Sequence, residues 1–201
     1  PVLFPHAYSN TAVSLGAMEW SLKGPHENAA AESIASGVAL VEAFDLIRAG
    51  QATVLAACGS DALSAPRLRA ASAGSDTSGE GAAALVLESE ASAASRGATP
   101  LGRLLGCGLA TTASAAISAA LEQSGVAPSA LVAAYANRGA ADELTLAPQV
   151  RVERPDSLCG NVGGATTALH AALALIGQHA GPVLVVTAES GGGVALVISH
   201  P

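Results

Sequence analysis

The stretch GNVGGATTALHAALALIGQHAGPVLVVTAESGG, residues 160–192, decides how the rest is read. It opens on a small-residue turn, continues as an apolar helix, stops at a glycine and ends as an apolar strand running into polar residues. Residues 33–61, SIASGVALVEAFDLIRAGQATVLAACGSD, repeat that order at nearly the same length. Two helix-then-buried-strand units predict an internally duplicated α/β fold, one domain over 1–201 with halves of about 1–90 and 91–201. The apolar runs VLAAC (54–58), ALVAAYA (130–136) and VLVVTA (183–188) predict a sheet covered on both faces.

Outward from these units, helical spacing over 9–22 predicts a helix capped by Ser9 or Asn10 and stopped by the Lys-Gly-Pro that follows. In the helix that follows, Val38, Val41 and Ile47 recur on one face, with Phe44 or Asp45 between them and Gly50 just past the end. Residues 64–78, rich in Ser, Ala and Gly, predict an exposed loop. Strands are expected at 81–90, 99–110 and 130–138, and helices at 91–97 and 112–126 with Gly125 as a stop.

Composition excludes several classes. The net charge of −7 argues against a nucleic-acid partner, and two Phe, two Tyr and one Trp are too few for a base-stacking platform. Half the residues are hydrophobic and only 12% charged, which excludes a disordered chain and raises the expectation of a subunit interface. No apolar run is long enough to span a membrane. Cys58, Cys107 and Cys159 make neither a disulfide framework nor a CxxC pair, as in a reducing cytoplasm. The chain starts at Pro1 and has Met18 as its one methionine, so an upstream piece is expected to be missing.

The local motifs are weak. GNVGG before a helix could cradle phosphate, but the Lys-Ser/Thr of a P-loop is absent. The histidines have no metal-ligand spacing, and no metal or cofactor is expected. Ser33 and Ser60 lie outside any GxSxG elbow.

Taken together, residues 24–63, 79–108, 117–143, 156–175 and 189–198 resemble the thiolase-fold β-ketoacyl synthases, condensing enzymes of fatty-acid and polyketide synthesis. GEGAAALVLESEASAASRGA, from Gly79, is the most specific match, and the likeness covers about half of a full-length member. It implies a fold truncated at its N-terminus, without the leading strand–helix–strand of the first half. The family's nucleophilic cysteine falls on Ile34 if registered from the downstream Ser-Gly, or on Ser33 if registered from Gly24-Pro25. Its two histidines fall on Asn137 and Asn161, and its supporting lysine on Asp156. Asparagine can hydrogen-bond but cannot serve as a base near neutral pH.

The resemblance therefore implies a catalytically degenerate partner, similar to the chain-length factors of type II polyketide and polyene systems. Such a subunit forms a heterodimer with an active β-ketoacyl synthase and meets acyl carrier protein through it. By that resemblance residues 27–33, with Ala29, Ala30 and Ala31, form a strand at the interface, and Met18 and Trp20 lie near the partner's acyl tunnel. Two alternatives stay open: an acyltransferase or hydrolase using Ser33, and a self-associating pseudoenzyme that binds acyl carrier protein.

Overall fold

The computed structural model describes residues 8–71 and 77–201. Helix α1 (Thr11–Glu19) leads by an irregular arm to helix α2 (Ala35–Arg48), strand β1 (Val54–Asp61), helix α3 (Ala65–Ala71), strand β2 (Gly81–Glu88) and helix α4 (Glu90–Ser95). Next come β3 (Arg103–Ala110), α5 (Ala113–Ser124), β4 (Ala133–Ala136), α6 (Arg138–Ala141), β5 (Arg151–Glu153) and α7 (Asp156–Cys159). The chain ends with α8 (Thr166–Ile176), β6 (Val183–Glu189) and β7 (Gly192–Ser199).

Five strands form one sheet in the order β3-β7-β6-β4-β5. β4 runs parallel to β5 and β6, while β7 is antiparallel to β6 and β3. Alternate side chains of β6 enter two cores. Val183 and Val185 pack with Tyr135 and with Ala168, Ala171 and Ala174 of α8, whereas Leu184 and Val186 pack with Ala113, Ala116 and Ala120 of α5. This is the sheet covered on both faces that the valine run predicts. Gly108 shows why alanine and glycine dominate here: a Cβ on it would run into the carbonyl of Ala116, so α5 lies directly on the backbone of β3.

β1 and β2 form a separate antiparallel pair, from Val54 opposite Glu88 to Asp61 opposite Gly81. The repeated stretches fold alike. Each enters its helix through one 3₁₀ turn, Glu32–Ile34 before α2 and Gly163–Ala165 before α8. The helices α2 and α8 pack together, the first turn rests on β6, and the second rests on β1. The two units thus pack reciprocally, each helix entry resting on the other unit's strand.

Four expectations need correction. The strand expected over 27–33 does not reach its end: Glu32 and Ser33 belong to the turn Glu32–Ile34, where Glu32 has φ +47, and residues 27–31 have no ladder within the chain. A strand needs a neighbour for its backbone groups, and alanine has little strand preference of its own. The first helix spans Thr11–Glu19, shorter than 9–22, and the Asn10 side chain makes no capping bond. The loop expected at 64–78 contains α3, and its residues 72–76 lie outside the described residues. VLAAC is covered on one face only, with Ala57 its one buried residue.

Candidate functional site

The family-matched positions cluster where the two helix starts meet. Ser33 is 2% exposed, and its hydroxyl donates to Glu189 Oε2 at 2.7 Å, at the end of β6. Asp61 ends β1 in the equivalent place, and its Oδ2 accepts the Gly164 N–H at 3.1 Å at the start of the other helical unit. Each half therefore presents a carboxylate to the other half's helix entry, where free N–H groups favour negative charge. Arg67 of α3 pairs with Asp61 at 2.7 Å and donates to the Asn161 carbonyl at 2.8 Å.

Between the helices, Ser36 Oγ accepts the Ala168 N–H at 3.0 Å. Thr167 and Thr187 join through their hydroxyls at 2.6 Å, and Thr167 also donates to the Ser33 carbonyl at 3.4 Å. These are buried groups satisfied by one another, as a packed interior demands.

The asparagines are equally engaged. Asn137 caps α6, its Oδ1 accepting the Ala140 N–H at 3.1 Å and the Ala188 N–H at 3.0 Å, while its Nδ2 donates to the Ala188 carbonyl at 2.8 Å. Asn161 Oδ1 accepts the Gly163 N–H at 2.8 Å, and its backbone bridges to Ser78. Asp156 Oδ2 accepts the Arg138 N–H at 2.8 Å. Ile34 packs in the core with Val194 and Leu196. Ser33 and Asn137 thus meet through the consecutive residues Ala188 and Glu189, while Asn161 belongs to the turn that rests on β1.

A cleft of about 280 Å³ opens beside them, lined by Thr111, Thr112, Gly139, Glu143, Glu189 and Gly192 among others. Glu189 faces it, whereas Ser33 is not among the lining residues. The walls offer carboxylates and threonine hydroxyls, groups that orient a polar ligand. Of the buried titratable side chains, Tyr135 lies in the core with its hydroxyl at 3.0 Å from His179, and the other two are held in their neutral forms. Burial lowers the His170 pKa to about 4 against the opposing pull of Asp156, and burial raises the Cys107 thiol to about 12. Among the described residues no group of three His, Cys, Asp or Glu could hold a metal, and no helix is long and apolar enough to cross a membrane.

The interface candidates sit elsewhere. Met18 (69% exposed) and Trp20 (76%) belong to α1 and its cap, and no residue of α1 is buried. Ala29 is half-buried, Ala30 exposed, and Ala31 packs against the core. Sequence reading missed Glu189, Asp61, Arg67 and the Thr167–Thr187 pair. The two carboxylates had a signal: each closes the strand of its repeat, in TAES and in CGSD.

Comparison with known structures places this geometry in a fold. A β-ketoacyl synthase from Burkholderia phymatum STM815 superposes with TM-score 0.83 at 21% identity, over 97% of this chain and 66% of its own. A type II polyketide ketosynthase, solved with its acyl-carrier protein and bound to the hexaketide, gives TM-score 0.81 at 17% identity, over 97% of this chain and 67% of its own. The ishigamide ketosynthase/chain length factor gives TM-score 0.71 at 20% identity, over 82% and 58%. No protein-family model and no curated protein matches the sequence. The chain has the thiolase-like fold of the ketosynthases and spans about two thirds of these chains or less.

Proposed function

We propose that this ketosynthase-like chain is a subunit without condensing chemistry of its own, which pairs with an active β-ketoacyl synthase as a chain-length factor in type II polyketide or polyene synthesis. The observation that carries this reading is Asn137. At a position where the family resemblance expects a histidine that binds thioester oxygen, its side chain makes three bonds to backbone and has become a structural clamp. Asn161 and Asp156 are likewise engaged with backbone N–H groups, and no thiol stands at 33 or 34. The exposed apolar surface of α1 and Trp20 supports a partner covering that side. In this reading the chain acts in the cytoplasm and meets acyl carrier protein through the complex.

The test is co-expression with an active ketosynthase followed by size exclusion and light scattering. A stable 1:1 complex is expected, with neither decarboxylation nor an acyl adduct when the lone chain meets malonyl and acyl carrier proteins. Failure of every ketosynthase tried to co-purify, with the chain self-associating instead, overturns the heterodimer.

The Ser33–Glu189 contact supports a second reading, acyl transfer from Ser33 with Glu189 as base. Burial of the hydroxyl, on a residue that does not itself line the cleft, counts against it. An acylated Ser33 in intact-protein mass spectra would replace the first reading with this one.

A further inference from the structure

At the start of β6, the end away from Glu189, residues 177–182 carry the chain from α8 into the strand. The His179 ring of this turn stands edge-on to Tyr135 of β4, with centroids 5.7 Å apart and Nε2 at 3.0 Å from the hydroxyl. His200, just past β7, tilts against His179 at 6.0 Å, and its Nε2 is buried without a hydrogen-bond partner. Gly177 makes the room: a Cβ there would come within 2.6 Å of His179 Nε2 and 2.9 Å of the Tyr135 oxygen. Gln178 has φ +48, a left-handed conformation that a residue with a side chain holds only when its neighbours fix it. The turn is therefore strained. It is tied to the sheet by the Tyr135–His179 bond and, at its far end, by the Val132 N–H donating to the Pro182 carbonyl at 3.0 Å.

We infer that His179, Tyr135 and His200 form a proton-operated latch, which holds this turn on the sheet while His179 is neutral and frees it when the ring is charged. A neutral ring protonated at Nδ1 accepts the Tyr135 hydroxyl at Nε2. A proton on Nε2 makes that nitrogen a donor, so the hydroxyl loses its acceptor. The charge also has poor company. Arg151 of β5 and His200 both repel it, and Glu153, which attracts it, is already paired with Arg151 at 2.6 Å.

Burial, then Arg151 and His200, lower the His179 pKa against the pull of Glu153. Burial and Glu153 raise the Tyr135 pKa against Arg151, which keeps its hydroxyl a donor over the same range. A histidine whose folded pKa is lowered keeps its full contribution above the ordinary 6.5 and loses it as the pH falls below. The latch is thus shut at pH 8 and opens on acidification. His170 lies on the same helix, but with a pKa of about 4 it stays mostly neutral down to pH 5. The opening is local, since β6 is held between β4 and β7 along its length.

The test follows the histidine rings of the full chain by NMR from pH 8 to pH 5, and reads amide exchange of Gly177 and Val132 at both ends of that range. Gly177 donates to the Leu173 carbonyl at 2.9 Å and Val132 to Pro182, so these amides bracket the turn. Corrected for intrinsic rates and taken relative to β6, both are expected to exchange at least about tenfold faster at pH 5 than at pH 8. His179→Gln, which accepts the Tyr135 hydroxyl and takes no proton, should remove that difference. His200→Phe keeps a ring in place without a charge and should raise the His179 pKa. Gly177→Ala crowds the bond and should leave the turn open at both pH values. Equal relative exchange at pH 5 and pH 8 overturns the inference, as does an acid response that survives His179→Gln. So does a His179 pKa that His200→Phe leaves unmoved, or a Gly177→Ala turn as protected as the unaltered one.

Discussion

Asn137 holds Ala188 by both of its backbone polar groups, accepting from the N–H at 3.0 Å and donating to the carbonyl at 2.8 Å. The clamp fastens the start of α6 to the end of β6, so a side chain that the family resemblance aligns with a catalytic histidine has become part of the frame. Asn137→Ala leaves three backbone groups without partners, two of them on Ala188. A loss of about 2–4 kcal/mol is expected in urea unfolding. Asn137→His should be destabilised too and gain no decarboxylase activity, because imidazole cannot present that donor and acceptor pattern to one residue.

Ser33 and Glu189 should behave as a coupled pair. Ser33→Ala and Glu189→Gln are each expected to cost about 1–2 kcal/mol, with the double variant losing less than the sum. Strict additivity in a double-mutant cycle would show that the 2.7 Å contact contributes nothing to stability.

Gly108→Ala places a methyl group against the Ala116 carbonyl and must lift α5 from β3. A loss of more than about 3 kcal/mol is expected by chemical denaturation. Gly97→Ala is the contrast: the added Cβ meets no neighbour within 4 Å, and only the strain of φ +67 is imposed, so a cost of about 1 kcal/mol is expected.

His170 sets a pH dependence. Its folded pKa of about 4 lies below the ordinary 6.5, so between those values the unfolded chain binds more protons. Stability should therefore be full above about pH 6.5, fall as the pH drops through the window and level off below 4, a loss of about 3 kcal/mol. His170→Gln should remove that slope, measured as the urea midpoint from pH 7 to pH 4.

The proposed pairing makes its own prediction for α1. Met18→Ala in the heterodimer should lengthen the acyl product by about one or two extension cycles, and Ala17→Phe should shorten it, because a methylene forced into a packed pocket costs roughly 1–3 kcal/mol. Unaltered products from both variants, with the complex intact, would remove α1 from the tunnel wall.

The repeated units were legible because their signals are local. Periodic apolar residues, a glycine at each helix end and an unbroken valine strand specify α2, β1, α8 and β6 without reference to distant contacts. Gly50 and Gly125 adopt φ +70 and +67 just past their helices, as the spacing predicts. The turn Glu32–Ile34 at the end of the strand expected over 27–33 was not legible, because a run of alanines carries no signal of where an extended segment stops. The polar contacts were hidden for a similar reason: Ser33 and Glu189 lie 156 positions apart, and Ser36 and Ala168 lie 132 apart. The two carboxylates come into view only as the residues that end the strands of the two repeats.

The reciprocal packing of α2 and α8 also orders events in time. Most partners of β3, α5, β4, β6 and β7 lie in the second half of the chain, which can reach its packed state early. The first turn, at Glu32–Ile34, must wait for β6, whose Glu189 is made 156 positions after Ser33. Closing so long a loop is slow, because its entropy is lost before any contact repays it. During synthesis, α2 and the β1–β2 hairpin therefore stand with apolar surfaces open until Glu189 has emerged. That interval, at a synthesis rate of roughly 5–20 residues per second, is on the order of ten seconds. It is the period in which a chaperone or an early-binding partner has access to the first half, and slowing translation beyond residue 100 should prolong it.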